Sequence, residues 1–273
     1  MRVGYLQFDP AFGKREENLG RIGRIARERA RGADLLVLPE LASTGYLFLS
    51  REEALSFGEP FPGGPTERFL AGLVRELRAT VVVGFAERSG ERLFNSCALM
   101  RPDGTSSVYR KAHLFLDEKD WFDPGDTPLE PVRAEGTEVG LLICFDWYFP
   151  EVARVLAIGG AKVLCHPSNL VLPHCPEAMR TRCLENRVFA VTANRTGTDE
   201  RGGRSFAFIG ESQVVGPGGK VLIRAPSSGV DVGIVEIDPA EAERKDPTGR
   251  NDWMVDRRTD LFGRLVDPRP PAS

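Results

Sequence analysis

No apolar run in the sequence approaches the roughly 18 residues that a membrane-crossing helix needs. Met1 leads directly into the strand-like Arg2-Val3-Gly4-Tyr5-Leu6-Gln7-Phe8 instead of a charged and apolar leader. No membrane association and a cytoplasmic location are the expectations. Long blocks of one charge are also missing: 36 Lys and Arg and 39 Asp and Glu are interspersed, for a formal charge of −3. Nucleic acid and anionic lipid therefore find no electrostatic footprint. Lysine is scarce beside arginine, which carries no functional information. The five cysteines, Cys97, Cys144, Cys165, Cys175 and Cys183, are odd in number, widely spaced and without a C-x-x-C pair, which argues against a disulfide framework. Cys165-His166 and His174-Cys175 form a mirrored pair, but their spacing fits no usual structural zinc site, so neither metal nor cofactor is expected. Histidine is limited to His113, His166 and His174, and no G-x-S-x-G elbow accompanies them, so Ser-His-Asp catalysis lacks its parts.

What is present is an ordinary globular composition, 273 residues with 41% hydrophobic, enough for a sizeable core. Small-molecule chemistry is the default. Residues 2–8 read as a strand, and 15–31 as a helix with Leu19, Ile22, Ile25 and Ala26 on one face before Gly32. A buried strand at 35–38 ends in Pro39-Glu40, a helix follows at 66–79, and a strand at 81–85. Such alternation is the α/β pattern. Strands at 93–100 and 105–110 form a hairpin around Arg101-Pro102-Asp103-Gly104, followed by a polar loop from Ala112 to Pro131. Long loops of this kind are more often functional than accidental. The second half predicts a strand at 139–143, a helix at 148–159, a strand at 162–165 and a helix at 176–188. Strands near 189–194, 206–209, 211–215, 220–224 and 232–237 complete it, with Gly218-Gly219 as a hairpin turn. Val3-Gly4 through Pro39 and Val139-Gly140 through Pro167 echo each other, which predicts two similar half-units facing each other as a helix–sheet–sheet–helix sandwich in a single domain, 1–273. The tail from about 239 to 273 is expected to reach a partner subunit.

Three polar side chains fall at the ends of apolar strands, where an α/β fold gathers its active site: Glu40, Lys111 and Cys144. Cys144 lies between the run Val139–Ile143 and a helix announced by Pro150, a turn that presents a side chain beyond the sheet with backbone N–H groups around it. Against this stands the commoner fate of each residue type: a buried cysteine as a small hydrophobe, a solvated carboxylate, one more surface cation.

At this point the chain resembles the nitrilase superfamily of carbon–nitrogen hydrolases, in V-G-Y-L-Q-F-D-P, L-V-L-P-E-L, Y-R-K-A-H-L-F, C-F-D-W-Y-F-P-E-V-A-R, H-P-S-N-L-V and L-E-N-R-V-F, blocks that span nearly the whole chain. The resemblance implies an α-β-β-α sandwich and a Glu-Lys-Cys triad at Glu40, Lys111 and Cys144. It places a fourth carboxylate at Glu118, in E-K-D-W-F-D-P-G-D, where Asp117, Asp120 and Asp123 crowd the same loop. In that chemistry Glu40 is the general base, Cys144 the nucleophile, and Lys111 with the backbone N–H of Phe145 the oxyanion partner, while Glu118 orients Lys111 and the substrate nitrogen. Tyr46, Trp121 and Asn169 are candidate substrate-binding residues because they lie in loops beside the triad.

Cys144-Phe145-Asp146 differs from the Cys-Trp-Glu of true nitrilases and favours a small amide or N-carbamoyl amine over a nitrile. Aliphatic nitrile hydrolysis is the alternative, and a catalytically idle binding or scaffold relative is the reading from another class. A homodimer or higher oligomer is expected, partly from the resemblance and partly because Trp253, Met254 and Leu261 would otherwise leave apolar surface exposed.

Overall fold

Four consecutive apolar residues, Leu35 to Leu38, show how the layers are made. In a strand, successive side chains point to opposite faces. Leu35 and Val37 enter the core between two sheets, while Leu36 and Leu38 enter a second core beneath helices. A computed structural model describes residues 1–246 and 248–267.

The first half runs β1 (Arg2–Gln7), α1 (Arg15–Arg29), β2 (Leu35–Val37), α2 (Arg51–Phe57), α3 (Pro65–Leu77), β3 (Thr80–Ser89), β4 (Arg92–Met100), β5 (Ser106–Arg110) and the single turn α4 (Glu118–Trp121). The second runs β6 (Val132–Ala134), β7 (Thr137–Leu141), α5 (Pro150–Ile158), β8 (Val163–Pro167), α6 (Cys175–Asn186), β9 (Phe189–Ala193), β10 (Thr198–Arg201), β11 (Arg204–Ala207), β12 (Gln213–Val215), β13 (Val221–Arg224) and β14 (Asp231–Glu236).

Two six-stranded sheets result, ordered β14-β1-β2-β3-β4-β5 and β13-β12-β9-β8-β7-β6. In each, three parallel strands (β1-β2-β3 and β7-β8-β9) carry one antiparallel strand on one side and two on the other. The echo seen in the sequence therefore extends to all six strands, with the late strand β14 closing the first sheet beside β1.

Helix α1 turns Leu19, Ile22 and Ile25 onto the outer face of the first sheet, and Glu16 and Glu17 at its start with Arg27 and Arg29 at its end complement its dipole. Helix α3 opens with Pro65 and adds Leu70, Leu73 and Val74 to the same core. On the far side, Val152 and Leu156 of α5 and Met179 and Cys183 of α6 join the core that also packs the sheets together. This is the four-layer α-β-β-α order.

Several elements differ from the sequence expectation. Strand β7 stops at Leu141, so two extended residues separate it from Cys144. Helix α2 was hidden because only Ala54 of it is buried, leaving no apolar period; Ser50 caps it by accepting from Glu53 N–H at 3.1 Å. The strand expected at 206–209 is displaced to β11, which forms a two-stranded ribbon with the unanticipated β10. Strand β6 was likewise unforeseen, and α4 folds part of the loop 112–131. In the tail, Trp253 and Met254 are half-buried against the chain's own surface, Met254 on the inter-sheet core and Trp253 beneath the Arg187 guanidinium, while Leu261 is exposed. Pro247 and residues 268–273 of the expected tail lie outside the described residues. Among the described residues no helix is long and apolar enough to cross a membrane.

Candidate active site

Two glycines let the chain bring Glu40 and Lys111 where they are. Past β2, Leu38 N–H donates to Val82 C=O and Gly84 N–H to Pro39 C=O, so the strand's direction carries on to Glu40. A Cβ on Gly84 would lie 2.4 Å from Glu40 Cα, so the approach of β3 to this backbone requires glycine. Lys111 follows β5, with its N–H on Asn95 C=O at 2.8 Å and its C=O accepting from Gly125 N–H at 3.0 Å. A Cβ on Gly125 would fall 2.1 Å from Arg110 C=O. Glu118 opens α4, and its Oε2 accepts from Phe115 N–H at 3.2 Å.

Cys144 has φ +41°, in the left-handed region, and begins a tight 3-10 turn running to Tyr148. The strain of that conformation for a residue with a Cβ must be held by neighbours. Buried Asp146 does much of this. Its Oδ2 accepts from Ile143 N–H and Tyr109 O–H, both at 2.9 Å, and its Oδ1 accepts from His113 N–H at 3.1 Å and lies 2.8 Å from His113 Nδ1. His113 in turn stacks on Phe149.

Lys111 Nζ donates to Glu40 Oε1 at 2.7 Å and to Glu118 Oε1 and Oε2 at 2.8 and 2.7 Å, with all three side chains fully buried. Asn95 Nδ2 also donates to Glu40 Oε1 at 2.7 Å, and Tyr46 O–H to Glu118 Oε1 at 2.8 Å. Glu40 Oε2 has no partner among the described residues. Burial is the largest single influence on Lys111 and opposes its charge, but Glu118 and Glu40 together outweigh it and the ammonium's pKa ends above its ordinary value. Burial likewise pushes the Glu118 pKa up, with the Glu40 charge reinforcing it against the pull of Lys111 and Tyr46. For Cys144, burial and then repulsion by Glu40 raise the thiol well above its ordinary range; Lys111 and the backbone N–H of Asn169 only partly offset this. The thiol is protonated at rest, and acting as a nucleophile would require a base beside it.

Behind the turn, buried His166 places Nε2 2.9 Å from Cys144 C=O and Nδ1 3.1 Å from Thr192 Oγ1. A carbonyl only accepts, so Nε2 carries the proton and Nδ1 accepts from the threonine hydroxyl. Burial lowers the His166 pKa to about 4 and keeps the ring neutral.

Cys144 opens into a narrow cleft lined by Phe115, Phe145, Trp147, Asn169, Leu170, Val171 and Leu172. Of the expected substrate-binding residues, Asn169 lies on this lining. Tyr46 sits behind it on Glu118, and Trp121 packs among Tyr46 and Phe48 in an aromatic core, away from the lining. The rival carboxylates of the loop point elsewhere: Asp117 pairs with Arg204, Asp123 with Arg51, and Asp120 is exposed. Sequence reasoning missed Asn95, Asp146 and His166. Asn95 left one trace, a lone amide inside the run Leu93 to Leu99, and Asp146 another, an acid two residues past the elbow cysteine. Among the described residues no group of three His, Cys, Asp or Glu side chains is placed to hold a metal ion.

The sequence profile of the carbon–nitrogen hydrolase family matches residues 2–245. A nitrilase of Pyrococcus abyssi is 41% identical over 97% of this chain and all of its own length. An (R)-stereoselective amidase of a Pseudomonas species is 35% identical over 98% of this chain and 95% of its own. Among solved structures, the amidase of Nesterenkonia sp. AN1, in a form carrying acrylamide added to its active-site cysteine, superposes with a TM-score of 0.79 at 26% identity, covering 97% of this chain and all of that one. The chain belongs to the carbon–nitrogen hydrolase family and is an enzyme of its amidohydrolase and nitrilase kind.

Proposed function

We propose that the chain hydrolyses small, uncharged amides through a thioester on Cys144. The observation that carries this is a protonated thiol at the mouth of an apolar cleft, beside a buried ammonium bracketed by two carboxylates, one of which keeps an oxygen free. Glu40 Oε2 takes the thiol proton as Sγ attacks the carbonyl carbon. Negative charge gathers on the carbonyl oxygen, which Lys111 and the Phe145 N–H receive; removing a single such donor from an active site costs about 3–4 kcal/mol. Glu40 returns the proton to the departing nitrogen, ammonia leaves and the thioester remains. Glu40 then deprotonates a water, which attacks the thioester and releases the acid, and the proton goes back to Sγ. Glu118 holds Lys111 and accepts from the substrate N–H.

The lining contains no acidic or basic side chain, which disfavours charged substrates such as N-carbamoyl derivatives of diamines. A second reading, nitrile hydrolysis, is favoured by the identity with the Pyrococcus abyssi nitrilase. There Sγ adds to the nitrile carbon to give a thioimidate, and the same residues serve. Ammonia release from propionamide, isobutyramide, the corresponding nitriles and N-carbamoyl amines tests both readings. Turnover should be fastest on the neutral amides. Turnover of nitriles alone would establish the second reading, and none on any of these compounds would overturn both.

A further inference from the structure

Asn169 has an unusual position for a buried amide. It follows β8, and the backbone on either side is pinned, Ser168 N–H on Ala193 C=O at 2.9 Å and Leu170 N–H on Asn194 Oδ1 at 2.8 Å. The Asn194 side chain is itself satisfied, with Nδ2 donating to Gly210 C=O at 2.7 Å. The Asn169 side chain is only 3% exposed, yet neither its Oδ1 nor its Nδ2 meets a partner among the described residues. It lines the cleft that holds Cys144. A buried amide left unpaired costs roughly 1–3 kcal/mol per group. The rest of the lining is apolar and offers it nothing.

The reacting group of the substrate is already served. Its oxygen goes to Lys111 and the Phe145 N–H, and its nitrogen to the carboxylates. What Asn169 pairs with is therefore a different part of the substrate, close to the reacting carbon. We infer that Asn169 reads a neutral group that both donates and accepts hydrogen bonds, a hydroxyl or a second carboxamide, on the α or β carbon of the acyl portion. An amide side chain offers one acceptor and two donors, which such a group satisfies together. A carboxylate only accepts and would leave Asn169 Oδ1 without a donor, and an ammonium would leave Nδ2 without an acceptor and find no acid in the lining. This inference rests on the amide-hydrolase reading and narrows it to hydroxyacyl amides and diamides.

The test compares isosteres within one protein, using kcat/KM for glycolamide against propionamide, lactamide against isobutyramide, and 3-hydroxypropionamide against butyramide. Malonamide and succinamide supply the carboxamide arm and distinguish it from the hydroxyl. An α-hydroxyl also activates the carbonyl chemically, so the decisive quantity is the change in each ratio on going from wild type to Asn169→Leu. Wild type should favour at least one polar isostere by about tenfold or more, and that preference should fall at least about tenfold in Asn169→Leu. Asn169→Ser provides a second, smaller replacement should the leucine lose all turnover. If wild type prefers none of the polar amides over its apolar counterpart, or the ratios are unchanged in whichever variant remains active, the inference is wrong while the amide-hydrolase reading stands. If no amide is turned over at all, that underlying reading has failed.

Discussion

Acid should act on this protein through two buried groups that pull in opposite directions. His166 is held at a pKa of about 4 against an ordinary 6.5. Between these values the unfolded chain takes up a proton that the folded chain refuses, so stability present above pH 6.5 is lost as the pH falls to about 4. The difference is 6.5 − 4 = 2.5 units, which at 1.36 kcal/mol per unit is about 3 kcal/mol. Glu118 is displaced the other way, upward from 4.5, because burial and the Glu40 charge together outweigh the pull of Lys111 and Tyr46. Here the folded chain takes up the proton first, so the contribution is complete below pH 4.5 and is lost as the pH rises. Between pH 4.5 and 6.5 the two oppose each other, and each should become visible when the other is removed. Urea unfolding of wild type, His166→Gln and Glu118→Gln at half-unit steps from pH 7.5 to 4 measures this. Relative to wild type, His166→Gln should gain stability as the pH falls and Glu118→Gln should lose it. His166→Gln preserves an N–H for the Cys144 carbonyl, so the comparison changes charge more than contact. Parallel curves for wild type and both variants, or deviations of the same sign, would refute the assignment of a neutral histidine and a proton-seeking carboxyl to this cluster.

Cys144→Ala should remove all measurable ammonia release and leave the fold intact, because the side chain's only loss is a sulfur atom in a cleft; substantial turnover in a folded variant would end the covalent mechanism. Lys111→Arg should be nearly as damaging as Lys111→Ala, since the ammonium sits 2.7 Å from each of two carboxylates and a planar fork cannot occupy that point without moving them. A kcat close to wild type in Lys111→Arg would contradict the oxyanion role. Tyr46→Phe deletes one bond to Glu118 and should lower kcat by about ten- to a hundredfold, on the usual worth of about 1.5–3 kcal/mol for a hydrogen bond to a charged group; an unchanged rate would show that Glu118 is held without it. A homodimer or larger assembly is expected because Val155 and Ile158 of α5, Leu184 of α6 and Leu261 and Leu265 of the tail are all exposed. A monomer by light scattering at micromolar concentration would contradict that.

The fold was legible where the apolar period was strong and obscure where function or local hydrogen bonding replaced it. Leu35–Leu38 and Val139–Ile143 are unbroken apolar runs, so the parallel centre of both sheets could be read directly. Helix α2 could not, because it buries a single alanine and owes its start to the Ser50 cap. Strands β10 and β11 bury no apolar residue, Asp199 being the one buried side chain in either, so neither carries an apolar core face. The same division runs through the site. Glu40, Lys111 and Cys144 stood out because a polar residue at the end of an apolar run is conspicuous. Asp146, Asn95 and His166 did not, because their meaning depends on partners 22 to 55 residues away: Tyr109 and His113 for the first, Glu40 for the second, Cys144 for the third. Asp146 bonds across to Tyr109 of the first sheet, while Asn95 and His166 each bond within one sheet, so all three contacts exist only once the strands have paired. A sequence shows which residue types are available to a site, but the restraint that keeps Cys144 at φ +41° is created by β5 and β8 bonding to the turn. Substituting Asp146 or His166 should therefore disturb the proposed chemistry through the conformation of Cys144, although neither side chain bonds to the Cys144 thiol, Glu40 or Lys111.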